Sequence, residues 1–200
     1  LTPAVGPLSP GEAEKAMVVA PGLAMQLVAS EPQVVDPVCA TFDENGRLYA
    51  AEMRGYPNGG VGTGDISSGR ISLLTDENHD GKYEKSVTFA QGLRFPMGLL
   101  PWRGGLLVAQ APEILYLKDT NNDGKADRMT EFAKVQNPLG FEFWGGGVLV
   151  TCPPEIVFLK DTDGDDKADV RQVIMTGWGI RDTHAQASSL SYGYDNWLRG

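Results

Sequence analysis

"PEILYLKDTNNDGKADR" occupies Pro112–Arg128, and "PEIVFLKDTDGDDKADV" occupies Pro154–Val170. The two stretches agree at 11 of 17 positions and begin 42 residues apart. Each joins a run that is apolar on both faces, as in a strand covered on both sides, to an acidic turn rich in Asp, Asn and Gly. A third turn of this design, "TDENHDGKYE" (Thr75–Glu84), lies one unit earlier, with Asp76 standing 43 residues before Asp119. The likeness extends upstream. "GGLLVAQAP" (Gly104–Pro112) aligns with "GGVLVTCPP" (Gly146–Pro154), and "GRLYAAEM" (Gly46–Met53) reads as the same strand of the first unit.

Each unit divides into four short strands. In the second they are "PMGLLPW" (Pro96–Trp102), "GLLVAQA", "EILYLKD" and "DRMTEFAK", with the acidic turn between the last two. Helical periodicity is weak except in "SPGEAEKAM", where Ser9 caps a short helix with Pro10 at its first position. Four-stranded units at about 42 residues predict an all-β fold, a β-propeller of four-stranded blades. A β-sandwich explains strands, but not near-identical hairpins at constant spacing. Residues 1–24 read as an N-terminal extension with a short helix. Residues 25–200 read as three blades and the start of a fourth near His184, an incomplete N-terminal part of a ring whose remaining blades are its first expected partner. Trp102, Trp144 and Trp197 are expected in the core.

Composition narrows the chemistry. The 200 residues carry 26 acidic and 17 basic side chains, a net charge of −9, and 42% are hydrophobic. Twelve of the acids fall in the three turns, so the negative charge is local and within reach of divalent cations. No basic stripe exists to neutralise phosphates, which excludes nucleic acid as a partner. No apolar run approaches a membrane span, and no signal peptide is visible. Cys39 and Cys152 both lie in apolar runs. They read as two buried thiols or as one mutual disulfide, and neither CxxC nor CxxCH occurs.

The turns follow D-x-[DN]-x-D-[GD]-x-x-[DE]. Side-chain oxygens recur at positions one, three, five and nine: Asp76, Asn78, Asp80 and Glu84; Asp119, Asn121, Asp123 and Asp127; Asp161, Asp163, Asp165 and Asp169. Hard oxygens on alternate residues of a tight turn converge on one Ca²⁺, with the carbonyl of position seven (Lys82, Lys125, Lys167) as a further ligand. Position twelve lacks the bidentate Glu of an EF-hand and the flanks are strands, so the expected role is to clip a hairpin. Mg²⁺ demands a stricter octahedron. An Asp/Asn/Gly hairpin that binds nothing is the competing reading. Position six takes Gly81 and Gly124 but Asp166 in the third turn, where a left-handed backbone is less comfortable.

If these turns join third and fourth strands, the other connections gather on the opposite face. They include the Gly-rich insertion Met53–Gly69, "QGLRFP" (Gln91–Pro96) and "TGWGIRDTHAQA" (Thr176–Ala187). Arg54, Arg94 and Arg181 are candidates to hold an anionic cofactor there. Tyr56, Trp178, Asp182 and His184 lie beside them, on loops of the kind that carry function. His184 is the candidate catalytic base; alternatively Asp182 and His184 only tie a turn. The insertion has no GxxxxGK[ST], so it is no phosphate cradle.

"SEPQVVDPVCATFDENGRLYAAEMRGYP", "GRISLLTDENHDGK", "FPMGLLPWRGGLLV" and "DTHAQASSLSYGYDNWLRG" resemble the N-terminal propeller of the planctomycete-type membrane-bound dehydrogenases, which include haem-binding CxxCH proteins. That family is related to the soluble quinoprotein glucose and sorbosone dehydrogenases, six-bladed propellers that use pyrroloquinoline quinone and calcium. The resemblance implies an exported, periplasmic or extracytoplasmic protein that oxidises a sugar or alcohol. It also implies a c-type haem outside this segment as electron acceptor. In the quinoproteins a His before L-x-x-G-x-D-G-x-L-Y acts as base; here His184 precedes "LSYGYDNWL", with Ala-Gln-Ala-Ser where Gly-Gly is usual. The alternative is a non-catalytic, calcium-stabilised propeller that binds carbohydrate or a protein partner.

Overall fold

The computed structural model describes residues 6–57, 66–181 and 186–200. Three four-stranded antiparallel sheets follow one another along the chain, each with its strands in chain order. Blade 1 comprises β1 (Pro37–Phe42), β2 (Leu48–Glu52), β3 (Gly69–Thr75) and β4 (Lys85–Leu93). Blade 2 comprises β5 (Gly98–Trp102), β6 (Gly105–Gln110), β7 (Glu113–Lys118) and β8 (Arg128–Lys134). Blade 3 comprises β9 (Gly140–Trp144), β10 (Gly147–Cys152), β11 (Glu155–Lys160) and β12 (Val170–Thr176). β1 packs beside β5, and β5 beside β9, so the first strands are innermost and the fourth strands outermost. The fold is a β-propeller of four-stranded blades.

A hairpin of β13 (Ser191–Tyr192) and β14 (Leu198–Arg199) follows. Its turn repeats the one between β1 and β2. Gly193 N–H donates to the Trp197 carbonyl at 2.8 Å and Asn196 N–H to that of Gly193 at 3.0 Å, as Asp43 N–H does to Arg47 and Gly46 N–H to Asp43.

The two-sided apolar pattern is what blade stacking requires. In blade 2, Leu106, Val108, Leu115 and Leu117 face blade 1, where they meet Tyr49, Ile71, Leu73 and Phe89. The alternate residues Leu107, Ala109, Ile114 and Tyr116 face blade 3, where they meet Val148, Val150, Val157 and Leu159. These last four are the counterparts, 42 residues on, of the four that face blade 1. Full burial of each such side chain is worth about 1.5–3 kcal/mol. Blade interfaces, not blades, are therefore the cores.

Backbone latches add direction to this stacking. Ala126 N–H, at position eight of the second acidic turn, donates to the Phe89 carbonyl of blade 1 at 2.8 Å. Ala168 N–H does the same to Phe132 of blade 2 at 2.8 Å. Both phenylalanines are the extra residue of a β-bulge, which turns one carbonyl out of the ladder toward the next blade.

Cys39 lies in β1 and Cys152 in β10 of another blade, and both thiols are free, which decides against the disulfide. Burial pushes the Cys39 thiol up to about 11 and raises that of Cys152 as well. Two of the three tryptophans depart from expectation. Trp102 is half-buried, stacked on Phe143 at 5.5 Å between centroids, while Trp144 and Trp197 are exposed. All three sit at hairpin turns; Trp102 packs against the interface of blades 2 and 3, whereas the rings of Trp144 and Trp197 are left outside it. The short helix α1 (Pro10–Ala16) forms as expected, with the Glu12 carboxylate accepting from the Ser9 N–H at 2.9 Å and from its hydroxyl at 2.5 Å. Among the described residues no helix is long and apolar enough to cross a membrane.

Candidate functional site

The three acidic turns span 76–84, 119–127 and 161–169 and join third to fourth strands on one face of the molecule. Their backbones are alike. Position four is left-handed in each (His79 φ 61°, Asn122 φ 60°, Gly164 φ 84°), and so is position six (Gly81 86°, Gly124 84°, Asp166 68°). The first Asp of each turn accepts backbone amides across it: Asp76 from Gly81 at 2.8 Å, Asp119 from Gly124 at 2.8 Å, and Asp161 from Gly164 at 2.7 Å. Burial acts to raise Asp76 and Asp161, but these amide donors outweigh it and hold both carboxyls below their usual range, the nearby Arg103 charge helping at Asp161. The preformed anionic turn is thus built without help from other chains.

The turns differ in which oxygens are left to converge. In the first, carboxylate oxygens of Asp76, Asp80 and Glu84 lie within 4.8 Å of one another, and Asn78 Nδ2 donates to Glu84 at 2.6 Å. In the third, oxygens of Asp161, Asp163 and Asp165 do the same. Asp119, Asp123 and Asp127 form no such group among the described residues. Asp127 is bound by the Thr120 hydroxyl at 2.7 Å and its N–H at 3.0 Å, and Asp169 is held in the same way by Thr162. These threonine bonds keep both carboxyls below their ordinary range. Asn121 stays in the second turn, accepting the Asp123 amide at 3.0 Å. The donor sets of the first and third turns fit a hard divalent cation; in the second the Asn121 oxygen takes the place of the Asp163 carboxylate, accepting the Asp123 amide as Asp163 accepts that of Asp165 at 3.2 Å.

The second and third turns also meet a cationic side chain of the preceding blade. Arg103, in the β5–β6 turn, pairs with Asp161 at 2.8 Å, and Asp161 is only 1% exposed. Arg47 of blade 1 lies within electrostatic reach of Asp119 and borders a cleft of about 180 Å³ with Asn122, Asp123 and Gly124. Around the first turn Gln26 Nε2 donates to the Asp80 carbonyl at 2.9 Å, and Lys85 pairs with Glu77 at 3.2 Å.

The opposite face centres on a residue that sequence reading passed over. Glu52, at the end of β2, is completely buried. Its carboxylate accepts Arg54 Nε at 2.6 Å, Arg70 Nε at 3.0 Å, the Val35 N–H at 3.2 Å and the Ser72 hydroxyl. Burial raises its pKa, yet Ser72, Arg54 and Arg70 outweigh it and the carboxyl sits below its usual value. Two guanidiniums on one carboxylate leave one positive charge in excess. Gln110, the same position of the next unit, ties down the blade connection by accepting the Arg94 N–H at 2.7 Å. Tyr56 meets Phe95 edge-on at 6.2 Å, so the segments bearing Arg54 and Arg94 adjoin. Arg94 and Arg181 are exposed, whereas Arg54 is partly buried, with its Nε on Glu52. Asp182 and His184 lie outside the described residues. The signal for Glu52 was present: one acid at the end of the apolar "LYAAE".

Comparison with known proteins follows this geometry only as far as the fold. A solved structure titled "Crystal structure of Nidogen/Laminin Complex" is similar with a TM-score of 0.50 and 17% identity, over 71% of this chain and 49% of that one. This chain thus spans about half the length of that neighbour, and the likeness concerns the propeller fold alone. No curated relative matches the sequence. Residues 9–134 and 127–200 match the family described as "Domain of unknown function (DUF7133)", and the chain belongs to that family.

Proposed function

We propose that this domain is a propeller clipped by calcium, whose opposite face does the binding. The observation that carries it is the convergence of three carboxylates within 4.8 Å in two equivalent hairpins. Like charges so close repel, and a hard cation relieves them. With three carboxylates on an exposed turn, affinity belongs in the weak range of extracellular modules, about 10⁻⁴–10⁻³ M. That range suits a protein working outside the cytoplasm. Thermal unfolding with calcium and with chelator tests it: calcium at 100 times its dissociation constant should add about 2.7 kcal/mol per site. Coincident melts would sink the proposal.

A second reading is favoured by "DTHAQASSLSYGYDNWLRG" (Asp182–Gly200), with its resemblance to the quinoprotein dehydrogenases. In it the domain belongs to an exported oxidoreductase that takes a sugar or alcohol and passes electrons to a c-type haem elsewhere. Pyrroloquinoline quinone would supply the redox chemistry. The excess positive charge around Glu52 has the sign a polycarboxylate quinone needs, while Arg54 itself is engaged. His184 would hold the substrate proton. Turnover by the quinone-reconstituted full-length protein should fall about 10²–10⁴-fold in His184→Ala, with calcium-dependent melting unchanged. If no sugar or alcohol is oxidised after reconstitution, the propeller is a binding module for carbohydrate or a protein.

A further inference from the structure

The stretch before β1 makes contacts that belong to an outer blade strand. Tyr83 N–H, at position eight of the first acidic turn, donates to the Val28 carbonyl at 3.0 Å. The equivalent amides, Ala126 and Ala168, donate to Phe89 in β4 and Phe132 in β8, both at 2.8 Å. Val28 therefore stands where each blade presents the bulged residue of its fourth strand. Sequence agrees: "LVAS" (Leu27–Ser30) occupies the place of "TFAQ" (Thr88–Gln91) and "EFAK" (Glu131–Lys134). So does the exit. Asp36 (φ 49°) precedes Pro37 at the start of β1, as Phe95 (φ 51°) precedes Pro96 on the way to β5. Side chains reinforce the seat, with Gln33 Nε2 donating to the Tyr83 carbonyl at 2.6 Å and Ser86 Oγ to that of Gln33 at 2.8 Å.

Unlike β4 and β8, residues 26–30 belong to no sheet among the described residues. Glu14 of α1 takes the Leu27 amide at 2.9 Å. Close by, Leu23 is 69% exposed and Met25 45%. An extended edge flanked by bare apolar side chains is a pairing template.

We infer that Gln26–Ser30 is the fourth strand of the blade that precedes blade 1 around the axis, and that its free edge takes the third strand of that blade from the same propeller. The occupant is an antiparallel strand with two apolar faces, of the type "EILYLK" (Glu113–Lys118) or "EIVFLK" (Glu155–Lys160), since those strands pair with β8 and β12 opposite the same bulge. Continuity with the two existing blade interfaces carries the assignment. It does not depend on calcium or on any activity.

Hydrogen exchange on the unmodified full-length protein tests it first. Amides of residues 26–30 should exchange as slowly as those of β4 and β8; exchange as fast as in an unpaired segment overturns the inference. A photo-crosslinking residue placed at Met25 then identifies the neighbour. Capture of a strand of this type within one chain is the expected result. Capture of α1 alone, or a crosslink that doubles the mass by joining two copies, overturns it.

Discussion

Glu52 shows how one side chain organises the face away from the acidic turns. The same unit position is Gln110 in blade 2 and Cys152 in blade 3, so polarity falls from blade to blade while backbone pairing persists. In blade 1 the buried carboxylate gathers four donors from three segments, including the insertion-flanking Arg54 and Arg70. Removing one partner of a buried ion pair costs about 3–5 kcal/mol. Both arginines are partly exposed, so Glu52→Gln should sit near the lower end, about 3 kcal/mol in urea unfolding. The pH dependence follows from the depressed carboxyl. A group whose folded pKa lies below its unfolded value of about 4.3 contributes fully above that value. That contribution is lost as pH falls through the folded pKa. The gap between wild type and Glu52→Gln should thus be constant from pH 6 to 8 and close in acid. A gap that widened in acid would show that Glu52 is not held as a carboxylate.

At the scale of strands and hairpins, the repeat made most of the fold readable. The 42-residue spacing located every strand of blade 2 to within two residues, because two-sided burial demands an uninterrupted apolar run. The oxygens of the acidic turns were less readable. Alternation places Asp127 and Asp169 beside the others, but a threonine at position two, Thr120 or Thr162, diverts each carboxylate. Glu77 stands there in the first turn and Glu84 remains with the cluster. Position six obeys the backbone: Asp166 is left-handed at φ 68°. Asp166→Gly should therefore be more stable than Asp166→Ala by about 1 kcal/mol, both variants lacking the pair with Arg128. Equal melting of the two would mean the turn relaxes. A second element-level rule involves Gly105 and Gly147, where a Cβ would meet first the Leu117 or Leu159 backbone carbonyl and then the ring of Tyr116 or Phe158. Blade 1 carries Arg47 at this position, and there the strand-three partner is Leu73 with the aromatic moved across to Tyr49. Gly105→Ala should cost about 1–3 kcal/mol by overpacking. Tyr116→Leu in the same chain should recover part of that loss, a coupling of about 0.5–3 kcal/mol. Strict additivity in the double-mutant cycle would assign the whole cost to the Leu117 carbonyl and refute the link to the ring.

Across the whole molecule, stability resides between blades, and this sets what an outermost blade face must do. Blade 2 is covered on both sides, by residues that repeat at 42. On its far side blade 3 carries the counterparts of Leu107, Ala109, Ile114 and Tyr116, namely Leu149, Thr151, Ile156 and Phe158, of which Leu149, Thr151 and Phe158 are buried, so its exposure lies on β12. Its outer strand leaves Val173, Ile174 and Met175 each more than 40% exposed. Ile174 is the bulged residue of β12, the equivalent of Phe89 and Phe132, whose side chains are buried and whose carbonyls are latched. Sequence patterning could not distinguish these positions, because burial there depends on which blade stands opposite and not on the strand itself. A polypeptide of residues 1–200 alone should therefore self-associate through this face. Light scattering should report species larger than the 21.5 kDa monomer, increasing with concentration. Ile174→Asp combined with Met175→Lys should return it toward the monomer, because both changes lie on the exposed strand and neither touches the covered interfaces of blade 2. A wild-type segment that stays monomeric at high concentration would mean that this apolar face tolerates water, and the interface logic drawn from blades 1 and 2 would not extend to blade 3.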